Sequence, residues 1–254
     1  SEMARFRRWL AAERGLAFDD YESLHAWSVS DLPAFWDAIR AFFAIPLRTE
    51  PTAVLGRDSM PGAEWFPGAR LNYADMIWDH GRADPARPAI LWRSETAEGA
   101  LTRGELAARA GALAANLKAL GVEPGDRVAA ILPNRPEAMI AFLAVASIGA
   151  VWSLCSPDMG EVAILDRFRQ ITPKVLIAAD GYVHGGRAVD RSEWVAGIAA
   201  ELPGLERLVM VAHLPETPVW PEGALDWAAL VEGGAGVPET VALPFDHPLW
   251  IVYS

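Results

Sequence analysis

The stretch GDRVAAILPNRPEAMIAFLAVASIGAVWSLCSPD (125–158) constrains the fold of this chain more than any other. Val128 to Leu132 is a short apolar run, the length of a fully buried strand. Pro133 ends it, and Asn134-x-x-Glu137 reads as a capping box, with Pro136 in the first turn, where an amide needs no partner. Met139, Ile140, Phe142, Leu143, Val145 and Ile148 leave no polar face, so this helix is expected to be covered nearly all round. Burying Phe142 or Leu143 alone is worth about 2–3 kcal/mol, enough to override local propensity. Gly149 supplies a left-handed stop, and Val151 to Cys155 returns as a second buried strand. Strand, helix and strand within about thirty residues make a βαβ crossover, which implies an α/β fold: a parallel sheet layered with helices on its faces.

The flanking sequence fits around that unit. Residues 2–14 predict an amphipathic helix that Gly15 stops, and Tyr21 to Trp27 a further turn or two. Ser30 is a candidate cap for a helix over 31–43, whose Leu32, Phe35, Trp36, Ile39, Phe42 and Phe43 form one apolar stripe. Such a stripe reads as core or docking surface, here a helical cap packed on the larger domain. Two Pro-Gly steps make 60–73 an ordered, aromatic-anchored loop, and a helix is expected over 72–80. Pro88 to Arg93 is a strand that the polar Ser94 to Gly99 turns back. Thr102-x-x-Glu105 is a second capping box, opening a helix with Leu106, Ala110, Leu113, Leu117 and Leu120 on one face. Beyond Asp158 the pattern predicts a helix over 161–170 and a strand over 175–179. A Gly-rich loop over 180–190, a helix over 191–201 and a strand over 207–211 follow. A short helical piece (224–231) precedes a strand beginning at Leu249. An apolar strand broken off at Ser254 reads as part of a longer polypeptide.

Composition excludes several classes. The sequence is 52% hydrophobic and 22% charged, sufficient for a sizeable core in one large domain or two smaller ones. No run of about eighteen apolar residues is present, and no hydrophobic segment follows Arg5, Arg7 and Arg8, which reads against a membrane span or a signal peptide. Cys155 is the only cysteine, so a reducing, cytoplasmic setting is expected. The net charge of −11 argues against nucleic acid or an anionic membrane as partner. A polyanionic ligand would need local arginines to overcome that field. The chain has no G-x-G-x-x-G, no Gly-Lys-Ser/Thr phosphate loop, no G-x-S-x-G and no H-E-x-x-H. His25, His80, His184, His213 and His247 are isolated, so no metal site is expected. Cys155 reads as a small buried hydrophobe, and Asp19-Asp20 and Asp158-Glu161 as solvated turn and cap residues.

Two loops draw attention by position. Ligands of open parallel sheets gather beyond the carboxyl ends of the strands. Ser156-Pro157-Asp158 follows the second strand and Gly181 to Arg187 the third, so both are expected to border one crevice. Arg187, beside two glycines, offers a planar fork of donors to a phosphate. Spacing alone leaves open whether it does so or is a solvated arginine on an exposed turn.

Longer motifs carry a family resemblance. MPGAEWFPGARLNYADMIW (60–78) resembles the N-terminal signature of short-chain acyl-CoA synthetases. LTRGELAARAGALAANLKALGVEPGDRVAAILPNRPEAMIAFLAVASIGAVW (101–152) is similar to the early core of adenylate-forming enzymes. SLCSPDMGEVAILDRFRQITPKVLIAADGY (153–182) and FDHPLWIVYS (245–254) resemble the acetoacetyl-CoA branch of that superfamily. The resemblance implies an N-terminal helical cap over 1–80 and the first part of an AMP-binding domain over 81–254. It implies a two-step ligase: with ATP and Mg²⁺, acetoacetate becomes acetoacetyl-adenylate, and coenzyme A then takes the acyl group. It implies that Tyr253-Ser254 opens the phosphate loop and that the catalytic groups lie further on, so that none is carried over here and this stretch alone is not expected to turn over. What it does carry over is a coenzyme A surface. An Arg-x-Gly-Arg loop aligns as His184-Gly185-Gly186-Arg187, with His184 departing from arginine. A Gly-Gly turn aligns near Pro157-Asp158 after Ser156, another departure, where Asp158 would repel a phosphate. Acetate, propionate or another 3-oxo acid as substrate stays open, as does a non-catalytic nucleotide-binding module. Oligomeric state is not legible.

Overall fold

The structure, a computed structural model, describes residues 1–214, 220–234 and 236–253. Its packing separates into two units, one joining Ser1–Leu71 with Ala242–Asp246, the other joining Asn72–Val241 with the chain from His247 onward.

In the first unit, α1 (Glu2–Trp9) starts under the Ser1 hydroxyl, and one wider turn (Leu10–Arg14) continues it to Gly15, left-handed at φ 66°. Helix α2 (Tyr21–Ser30) opens on a capping box between Asp20 and Ser23. It runs three residues past the expected end and so absorbs Ser30. The cap of α3 (Leu32–Phe42) therefore falls to Asp31, whose carboxylate accepts from Ala34 N at 3.1 Å. The aromatic stripe of α3 is this unit's own core: Phe35, Ile39 and Phe42 pack around buried Phe6, Leu10, Leu24 and Ala38. Phe6 and Phe42 lie 5.1 Å apart, centroid to centroid. The expected loop over 60–73 carries two short strands. Strand β1 (Leu55–Arg57) pairs antiparallel with β2 (Glu64–Trp65), and β3 (Arg70–Leu71) with the late strand β13 (Leu243–Pro244).

The second unit begins with α4 (Asp75–Ala83), which starts later than expected. The Asn72 side-chain oxygen takes the Ala74 amide at 2.9 Å, holding the preceding turn out of the helix. A hairpin of β4 (Pro88–Arg93) and β5 (Glu98–Thr102) leads into α5 (Arg103–Ala119). The Thr102–Glu105 box forms as the spacing predicts, with Glu105 Oε2 accepting from Thr102 N and Thr102 Oγ1 from Glu105 N. Strand β6 (Arg127–Ile131), helix α6 (Pro136–Ser147) and strand β7 (Val151–Cys155) then form the predicted βαβ crossover. Its helix cap departs from the Asn134–Glu137 box. Arg135, not Asn134, is the half-in residue, and no side chain caps the helix. The residue before a proline is pushed to extended backbone, here φ −134° and ψ 169°, so Pro136 moves the boundary on by one.

Helix α7 (Glu161–Ile171), strands β8 (Val175–Ala179), β9 (Gly181–His184) and β10 (Arg187–Asp190), helix α8 (Ser192–Glu201) and strand β11 (Arg207–Val211) follow. Then come β12 (Leu225–Asp226), α9 (Trp227–Val231) and, beyond β13, β14 (Trp250–Ile251). The strand expected from Leu249 to Tyr253 is thus two residues long. Six strands form one parallel sheet in the order β12-β11-β8-β6-β7-β14.

Alternation along these strands sorts side chains into two layers. Val128, Ala130, Trp152, Val175, Ile177 and Val209 meet α5 and α6 on one face. Ala129, Ile131, Leu176, Ala178 and Met210 meet α7 and α8 on the other. Covering both faces is why the strands read as continuous apolar runs.

Candidate functional site

Strand β6 has its successors on opposite sides, β7 to one and β8 to the other. This is a topological switch point, where a crevice opens beyond the carboxyl ends of an open parallel sheet. The two loops singled out in the sequence leave that edge on either side of β6. At the end of β7, Ser156 is exposed and Pro157 buried, and the Ser156 carbonyl accepts from Met159 N at 3.2 Å.

The expected Gly-rich loop over 180–190 is instead an antiparallel hairpin, with His184 directly opposite Arg187 and Tyr182 opposite Val189. Gly185 and Gly186 have φ of 58° and 73°. Two left-handed central residues make a primed turn, whose twist matches that of the strands it joins. A Cβ at Gly181 would collide with the Val189 carbonyl oxygen and the Leu214 side chain, so glycine allows the close approach at the hairpin base. His184, Gly186 and Arg187 thus share one exposed tip.

An acid that motif reasoning did not single out meets that tip. Glu95, in the turn between β4 and β5, accepts from Gly185 N at 3.0 Å and Gly186 N at 2.7 Å. The Gly186 amide first, then that of Gly185, and His184 to a lesser degree, hold its carboxyl below the ordinary glutamate value. The contact therefore persists above the usual carboxylate titration and is released only as the pH falls below it.

Polar groups from three further strand ends accompany the hairpin. Asp180, buried at the end of β8, accepts from His213 N at 2.8 Å and Leu214 N at 3.1 Å. Burial first, and then the Arg135 charge, push the His213 imidazole below its ordinary value, which favours the neutral ring. Arg135, at the end of β6, lies 4.5 Å over the Trp92 ring and pairs with Glu137 at 3.4 Å. The Arg191 guanidinium lies 5.7 Å from the Tyr182 ring centroid and 4.7 Å from that of Trp194. Cys155 is buried, and burial raises its thiol pKa, as suits a packed apolar group rather than a nucleophile.

Among the described residues no group of three or more His, Cys, Asp or Glu is placed to hold a metal ion. Ser254 lies outside the described residues. Before it, the Tyr253 hydroxyl donates to the Arg167 carbonyl at 3.1 Å. No helix among the described residues is long and apolar enough to cross a membrane.

A six-stranded parallel sheet with helices on both faces and a topological switch point is the open α/β arrangement in which ligands gather beyond the carboxyl ends of the strands. The chain belongs to the AMP-binding enzyme family, whose model matches residues 77–254, and residues 21–76 match the acetyl-coenzyme A synthetase N-terminus. Across its whole length it is 38% identical to acetoacetyl-coenzyme A synthetase of Rhizobium meliloti (strain 1021). It is 35% identical to acetoacetyl-CoA synthetase of Danio rerio over 98% of the chain. The solved acetoacetyl-CoA synthetase from Streptomyces lividans matches all of the chain with a TM-score of 0.95 and 43% identity. The chain spans 39% of the length of each of these three proteins.

Proposed function

We propose that this chain is the N-terminal portion of an AMP-forming acetoacetate–CoA ligase. Residues 1–80 act as its helical cap and 81–254 as the first part of its AMP-binding domain. The match in sequence and fold to acetoacetyl-CoA synthetases across the entire chain carries this reading. Its setting is cytoplasmic.

In this reaction the carboxylate of acetoacetate attacks the α-phosphate of ATP, and pyrophosphate leaves. The thiol of coenzyme A then attacks the acyl carbonyl of the adenylate, and AMP leaves. The part assigned to the present residues is one edge of the coenzyme A cleft. Arg187 and the amide of Gly186 meet phosphate oxygens of the nucleotide end, and His184 faces them from the opposite strand. Ser156 and Pro157 border the path from the β7 side, and Ser254 opens the ATP phosphate loop. Support for the hairpin comes from its chemistry: two turn amides that already donate to a carboxylate, beside an exposed guanidinium, suit an anion.

The test is turnover of the full natural polypeptide with ATP, coenzyme A and a panel of short acids, followed by AMP release. Acetoacetate is expected to be the best substrate. Equal or faster turnover of acetate or propionate would overturn the assignment. Malonamate belongs in the panel, because a malonamoyl-CoA synthetase from Penicillium aethiopicum is 29% identical across the chain.

Arg187→Ala is expected to raise the coenzyme A requirement and to spare adenylate formation, read as ATP–pyrophosphate exchange. Loss of one charge-assisted contact corresponds to about 1.5–3 kcal/mol, a ten- to hundredfold change in KM for coenzyme A. An unchanged requirement would return Arg187 to an ordinary surface residue.

A further inference from the structure

The tip of the β9–β10 hairpin already holds an anion. The two oxygens of Glu95 each take one amide of the Gly185–Gly186 turn, at 3.0 and 2.7 Å. Consecutive amides in left-handed turn backbone converge to form a concavity suited to a negative group. A carboxylate and a phosphate offer that concavity the same thing, two neighbouring oxygens sharing negative charge.

Glu95 is also built to leave. It is exposed, at the tip of a turn reaching the hairpin across ninety residues of sequence. The turn does not depend on it. Ser94 Oγ accepts from Thr96 N at 3.3 Å and Ala97 N at 3.1 Å, while Ser94 N donates to Ala97 O at 2.7 Å. With the tip pinned by Ser94, the Glu95 side chain can swing aside without unfolding its loop. The amides it vacates lie on the same turn as His184 and Arg187.

We propose that Glu95 sets the affinity of this turn for phosphate. Its carboxylate stands where a phosphate of the coenzyme A nucleotide end binds, and an incoming phosphate must displace it to reach the Gly185 and Gly186 amides. The inference rests on the reading that this hairpin meets that nucleotide end. Glu95 thereby becomes a resident competitor that weakens binding of any ligand too poor in negative charge to replace it. A nucleoside bisphosphate gains two amide bonds on exchange, whereas an uncharged adenosine group gains none.

The test measures binding of adenosine 3′,5′-bisphosphate to the full natural polypeptide by calorimetry, with the Gly185 and Gly186 amide resonances as a local readout. Glu95→Gln and Glu95→Ala are each expected to tighten binding by about three- to tenfold, and Arg187→Ala to weaken it by about tenfold or more. In Glu95→Gln the two glycine amides are expected to shift on addition of the bisphosphate. If Arg187→Ala weakens binding while both Glu95 variants bind equally or more weakly than the parent, the competitor role is overturned and the ligand reading stands. If Arg187→Ala leaves binding unchanged, the ligand reading fails and the proposal with it. Tighter binding without movement of the Gly185 and Gly186 amides also overturns it, because the gain then arises elsewhere.

Discussion

Trp152→Ala is expected to lower the unfolding free energy by about 3–5 kcal/mol, measured by denaturant titration with unchanged slope. Trp152 is 1% exposed and is the second residue of β7, opposite Val128 on β6 and Trp250 on β14. It is among the largest side chains in the layer formed with α5 and α6. Truncation removes the indole's contacts and leaves a cavity that a parallel sheet with both faces covered cannot collapse to fill. Trp152→Phe keeps much of the volume and is expected to cost less than half as much. A loss below about 1 kcal/mol for the alanine variant would show that the layer repacks, against the rigidity argued for this sheet.

Asn72→Ala carries the second large effect, about 3 kcal/mol, through unsatisfied polar groups rather than lost volume. Asn72 is 1% exposed. Its amide donates to the carbonyls of Ala146, Ser147 and Val241 at 2.9, 3.1 and 2.9 Å. Its oxygen takes the Ala74 amide. One side chain thus ties the end of α6 to the start of α4 and to the segment at Val241. Ser147 extends the junction by accepting from Trp78 Nε1 at 3.1 Å while donating to Leu143 O at 2.7 Å. Asn72→Asp preserves shape but replaces a donor with a charged acceptor facing three carbonyls. It should cost at least as much as alanine. A milder effect for Asp than for Ala would refute the donor argument.

What was legible in the sequence depends on whether the cause is local. The βαβ unit was plain because Val128–Leu132, the all-apolar α6 and Val151–Cys155 each carry their own burial requirement. The Thr102–Glu105 box formed because both partners lie within one turn. The Asn134 box did not, because Pro136 displaced the boundary and left Asn134 outside it. The 180–190 segment was expected to be a loop, because its glycines weigh against a strand. Yet His-Gly-Gly-Arg between Tyr-Val and Ala-Val has the pattern of a two-residue hairpin turn. That signal was present and was outweighed by glycine content. The residues expected at the site were located by their strand ends, so His184, Gly186 and Arg187 fall on one tip, whereas Ser156 and Pro157 leave the other side of β6.

The sequence by itself determined the parallel α/β class, the placing of two loops at strand carboxyl ends and the resemblance to adenylate-forming synthetases. These rest on periodicities and short motifs whose physical causes span a few residues. Only the tertiary structure decided that Glu95 occupies the Gly185–Gly186 turn, that Asp180 gathers the His213 and Leu214 amides, and that Asn72 joins three segments. Each of those contacts spans between thirty-three and one hundred and sixty-nine residues, or includes one that does. Side-chain type alone does not encode which distant backbone groups a fold will bring within hydrogen-bonding reach. The order of strands about β6 settles that.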